Sequence, residues 1–169
     1  DIAYYDFTSK NVTNITNSPV SEYSPTVMSS GYAISAIVVE ADFKQKLWQY
    51  PLKNEDAPSR IFDWIEPVGY HAWGGQNDLV MFILGKPHTL QYTSVAQAKG
   101  EIAASNIGRT LIYNNSMAAF LFSYTKNEQH ILASFNPQDK QVEDLLRLPA
   151  QVQDCLLDPS YADDDRPSV

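Results

Sequence analysis

Three histidines, one arginine and two aromatics are the residues of this 169-residue chain best suited to chemistry or recognition. His71, His88 and His130 are all of its histidines. A neutral imidazole can bind a metal or accept a proton. Three converging on one point could hold an ion, provided each came within ~2.2 Å of it with a further partner orienting the ring. The competing reading places them on separate stacked sheets, ~10 Å apart, as rim or packing residues. That second reading is adopted, so no metal, cofactor or catalytic residue is expected. Trp64 and Tyr70 flank Glu66 and Pro67 in one loop, with Asp63 alongside. An aromatic platform beside a few polar groups suits sugars and peptides. With Arg109, the candidate ligand-binding set is Trp64, Tyr70, His71, His88, Arg109 and His130. Trp48 and Trp73 read as packing residues instead, and Trp64 fits ligand contact and simple packing equally well.

Other chemistry finds no support. No Gly-x-Ser-x-Gly elbow presents a nucleophilic serine. Asp163, Asp164 and Asp165 are adjacent rather than alternating, so they do not match a calcium loop. With Pro159, Ser160 and Pro167 nearby, residues 158–169 read as a flexible acidic tail. Gly74-Gly75 is too short for a phosphate-cradling loop. Sequons at Asn11, Asn14 and Asn114 carry meaning only in a eukaryotic secretory setting. The single cysteine, Cys155, excludes an internal disulfide and reads as a small buried hydrophobe.

A net charge of -8 with only 12 scattered Lys and Arg argues against nucleic acid, which needs clustered cations to displace counterions. The same balance disfavours anionic membrane surfaces, and no apolar run reaches the ~18 to 20 residues of a bilayer span. The opening Asp1 suggests a processed or trimmed product, with no signal peptide in view.

The elements that must position the candidates come from a repeat. Residues 2–7, 47–52, 90–95 and 130–135 are strand-like runs, each followed by a polar turn and a second short apolar run. Their last apolar residues, Phe7, Leu52, Val95 and Phe135, are 45, 43 and 40 apart. Ahead of them lie nearly continuous apolar runs at 33–39, 79–84 and 118–122, and ahead of those further strands at 23–28, 69–73 and 109–113. Gly and Asn in 29–31, 74–78 and 114–116 supply the positive φ that tight hairpins need, and polar turns at 53–58 and 136–140 join third to fourth strands.

Four short strands in ~40 to 45 residues match one propeller blade. An apolar run without alternation suits a strand covered on both faces, as when blades stack. The fold class is therefore all-β: a partial β-propeller of about three and a half four-stranded antiparallel blades. The boundaries are 1–18 (half blade), 19–65, 66–105, 106–149 and 150–157 (the start of the next). Residues 94–106 and 142–148 have some helical character, but Gly100 and Pro149 cut them short; a helical turn is allowed only near 151–157. Loops joining second to third strands and fourth to first strands share one face of such a blade. His88 and His130 enter third strands from those loops, and His71 lies early in a first strand.

The run Ser24-Pro25-Thr26, then a turn with Gly31, then Lys46-Leu47-Trp48-Gln49-Tyr50-Pro51-Leu52, resembles the WD40-like (PD40) repeats of the TolB-like propellers. Val68-Gly69-Tyr70-His71-Ala72-Trp73 and Asn106-Ile107-Gly108-Arg109 resemble the openings of the next two blades in extracytoplasmic bacterial members. Ser29-Ser30-Gly31 stands where such repeats commonly read Pro-Asp-Gly. The resemblance implies an exported, periplasmic or extracellular binding scaffold for a protein, small-molecule or carbohydrate ligand. The alternative is part of a carbohydrate-active hydrolase or lyase with a rim site. Blades left open at the ends also predict self-association through their edges.

Overall fold

The computed structural model describes residues 1–52, 57–94, 97, 99–150 and 152. Cys155, the 53–56 part of one expected turn, nearly all of 150–157 and the acidic tail lie outside the described residues. Strands β1 (Ala3–Asp6) and β2 (Asn11–Asn14) form a hairpin. Sheet I holds β3 (Ser21–Val27), β4 (Ala33–Val39), β5 (Gln45–Pro51) and β6 (Ser59–Arg60). Sheet II holds β7 (Val68–Trp73), β8 (Asp78–Ile83), β9 (Thr89–Ser94) and β10 (Glu101–Ser105). Sheet III holds β11 (Ile107–Asn114), β12 (Ala119–Lys126), β13 (Gln129–Asn136) and β14 (Gln141–Arg147). Each sheet is an antiparallel meander with its strands in chain order, and the first strands β3, β7 and β11 approach one another between sheets. This is the expected all-β partial propeller. Of the two stretches with helical character, the 101–105 part of the first is strand β10 and nearly all of the second lies in β14.

The apolar second strands carry the core. All of β8, and all of β4 except its last residue, are buried. Successive side chains on a strand point to opposite faces, so β8 serves two neighbours at once. Leu79, Met81 and Ile83 join Ile37, Leu47, Phe62, Ile65 and Trp73 between sheets I and II. Val80 and Phe82 join Leu90, Ile107, Phe120, Phe122 and Phe135 between sheets II and III. At the start of β8 the Asp78 carboxylate accepts a hydrogen bond from the Tyr92 hydroxyl at 2.7 Å.

The hairpin is held to sheet I by Ile2 and Ile15, which pack on Ala36, Val38 and Tyr50. Glu22 fixes this contact by accepting from Thr16 Oγ1 (2.5 Å) and from the Tyr50 hydroxyl (2.8 Å). Burial opposes its charge, but those hydrogen bonds outweigh burial and hold the carboxyl below its ordinary range.

Close approach of sheets II and III is written into Gly74. A Cβ there would lie 2.6 Å from Phe120 Cζ and 2.9 Å from the Tyr113 ring. Gly74→Ala should therefore destabilise by about 1 to 3 kcal/mol through overpacking. Chemical denaturation would show this as a lowered midpoint; an unchanged midpoint would mean the two rings move aside freely.

All three first strands share one irregularity. Pairing with the second strand breaks between Tyr23 and Thr26, between Val68 and Tyr70, and between Ile107 and Leu111. Such bulges bend a strand and re-aim its side chains.

Candidate functional site

Loops 84–88 and 127–128 and the one-residue crossover at Asn106 meet at one end of sheets II and III. Asn106 makes the turn from β10 to β11 with φ of 58°, a left-handed conformation that Asn adopts more readily than most residues. Its N–H donates to the His88 carbonyl at 2.9 Å, and its own carbonyl accepts from the Thr125 N–H at 2.9 Å. One residue thus ties the third strand of sheet II to the second strand of sheet III.

Around this tie lies a cavity of about 450 Å³ lined by Phe82, His88, Asn106, Arg109, Thr125 and His130, with Ile107 contributing apolar surface. Each side chain arrives by a different route. His88 precedes β9, its ring 4.9 Å from that of Phe82, and its Nδ1 accepts from the Gly85 N–H at 3.1 Å. In a neutral imidazole one nitrogen accepts and the other carries the proton, so His88 presents Nε2–H as a donor. His130 pairs across the ladder with Thr125, and its Nδ1 lies 3.2 Å from Thr125 Oγ1. Arg109 lies inside the bulge of β11 and is exposed.

The structure thus brings three of the six candidates, His88, Arg109 and His130, into one cavity. Tyr70 lies beside it without lining it, edge-on to Phe82 at 5.8 Å, so Tyr70, Phe82 and His88 form a row of rings. Trp64 is elsewhere. It packs on Phe62 at 5.1 Å and covers Gly100 just before β10, with 41% of its surface exposed.

His71 lies in the contact between sheets I and II, 7% exposed. Its Nε2 is 2.7 Å from Ser35 Oγ, which also accepts from Trp73 Nε1 at 2.7 Å and donates to the Thr26 carbonyl at 3.2 Å. The single Ser35 proton goes to Thr26, so His71 must carry its own proton on Nε2. Nδ1 is left buried with no hydrogen-bond partner. Burial pushes the imidazole down to about 4. Among the described residues no three His, Cys, Asp or Glu side chains come close enough to hold a metal ion.

Asn106 and Thr125 escaped the sequence reading. A lone Asn between two strand patterns was the available signal for the first; Thr125 had none, since it enters the site only through its register with His130.

No family model matches the chain, and no curated protein does. Solved structures do. TolB from Acinetobacter baumannii superposes with a TM-score of 0.68 at 11% identity, over 85% of this chain and 36% of that one. The fold is a partial β-propeller. The β-propeller domain of the trilobed protease from Pyrococcus furiosus gives 0.63 at 13% identity, over 78% of this chain and 44% of that one. A chain of the nidogen/laminin complex gives 0.63 at 5% identity, over 83% and 54%. The chain therefore spans between about a third and about half of the length of these three chains, and its sheets I to III are propeller blades. At these identities the likeness is one of fold, and a propeller carries many functions. No helix among the described residues is long and apolar enough to cross a membrane.

Proposed function

We propose that this protein is an exported, non-catalytic binding scaffold, and that the cavity where blades II and III meet is its ligand site. The observation that supports this most directly is the convergence of His88, Arg109 and His130, from two blades, on one cavity, where Tyr70, Phe82 and His88 form a row of rings with Phe82 buried. Ligand pockets are commonly concave, partly apolar, and furnished with a few convergent polar groups; Phe82 and Ile107 supply the apolar part here. Asn106 pins both walls through backbone hydrogen bonds, so the polar groups are held in place before a ligand arrives. The export reading rests on the resemblance of the repeats to extracytoplasmic propellers.

Amide spectra of the labelled protein, recorded with pools of short peptides and of oligosaccharides, test the proposal. Binding pools should shift the signals of Asn106, Arg109, Thr125 and His130. Shifts confined to the opposite ends of the blades, or to the β1–β2 hairpin, would locate the site elsewhere.

A further inference from the structure

We infer that the group recognised in this cavity is a carboxylate, a deepening that rests on the binding role just proposed. Three features of the site lead there. First, its charge is the reverse of the chain's: Asp and Glu outnumber Lys and Arg by 20 to 12, yet no Asp or Glu among the described residues lines the cavity, while a guanidinium and two of the three imidazoles do.

Second, the site is well supplied with donors. The guanidinium has five N–H groups and no acceptor, in a planar fork that matches a carboxylate. His88 offers Nε2–H because the Gly85 N–H occupies its Nδ1. The Asn106 side chain adds an amide. Third, the β11 bulge places Arg109 among the lining residues, and bulges commonly re-aim a side chain at a site. The neighbouring depression, of about 880 Å³, brings Lys86 and Glu128 to the rim; Glu128 is its one acidic residue and stands outside the cavity itself.

A carboxylate reaches such a site on an acidic peptide or on a sugar acid. The arms of the test separate these sources. N-acetyl-glutamate amide, glucuronate and the uncharged N-acetyl-glutamine amide are titrated into the 169-residue protein and followed by amide shifts at Asn106, Thr125 and His130. At least one acid should bind while the glutamine compound does not, and the tighter acid names the source. Arg109→Gln should weaken that acid about 10- to 100-fold, the range for losing a charge-assisted hydrogen bond. His88→Gln should weaken it less, and Lys86→Gln at the rim should leave it nearly unchanged.

If acid and amide bind equally well, or if Arg109→Gln is without effect on the acid, the carboxylate inference fails and the binding site stands. If no probe and none of the peptide or oligosaccharide pools moves these signals, both fail together.

Discussion

Truncating Phe120 to alanine is expected to lower the unfolding free energy by about 3 to 5 kcal/mol, the range for deleting a fully buried aromatic ring. Phe120 has no exposed surface and packs edge-on against Tyr113 at 4.9 Å. It pairs with Phe135 across the ladder and closes against Gly74 of blade II, so the ring is gripped by two blades. The Gly74 backbone against the ring tip limits how far the site can collapse, which puts the loss at the upper end of the range. A control lies in the same blade: Leu146 on β14 is 59% exposed, and Leu146→Ala should change stability by less than about 0.5 kcal/mol. Urea melts of the two variants check the pair. A Phe120→Ala loss below about 1 kcal/mol would mean that blades II and III are not packed through β12.

The second large effect is a dependence on pH. His71 titrates at about 4 in the folded protein, against about 6.5 for an ordinary imidazole. Between these values the unfolded chain takes up a proton that the folded chain refuses. Stability from this group is therefore complete above about pH 6.5 and is lost as pH falls towards 4. Between about pH 7 and about pH 4.5 the loss should be about 2 to 3 kcal/mol. The carboxyls held low by their partners, Glu22, Glu66 and Asp144, act in the same direction but in a more acidic window. They stabilise above the ordinary carboxyl range and lose that contribution as pH falls through their lowered values. His71→Met removes the imidazole at similar volume and should flatten the curve between about pH 6.5 and 4.5 while leaving the acid limb. A wild-type curve that is already flat there would show that His71 is protonated, or open to water, in the folded state.

What the sequence could and could not disclose follows from how each feature is made. The strands β4, β8 and β12 were legible because burial on two faces leaves a chemical record, an apolar run without alternation, and because the record recurs at blade spacing. Which neighbour each residue faces was not legible: His71 and Tyr70 are adjacent in β7, yet one packs against Ser35 of blade I and the other against Phe82 within blade II. The bulges were hidden for a similar reason. Nothing in Ile107-Gly108-Arg109-Thr110-Leu111 says that pairing lapses there, because the lapse belongs to two strands and the letters to one. Trp64 was ambiguous in the sequence between platform and packing, and its place over Gly100 depends on the distance between the outer strands of two blades.

The double duty of β8 bears on how the chain finds its own alignment during folding. In an amphipathic strand, a slip of one residue drives apolar side chains into water, and the error corrects itself. In β8 the same slip exchanges Leu79, Met81 and Ile83 with Val80 and Phe82, trading one greasy set for another. Water hardly distinguishes the two alignments, so hydrophobicity gives the strand almost no address. The polar pair at its mouth supplies one. Asp78 stands opposite Ser94 and diagonal to Tyr92, whose hydroxyl it accepts, and a one-residue slip turns the carboxylate to the wrong side of the sheet. The one strand buried along its whole length among the described residues owes its position to the one acidic residue it contains.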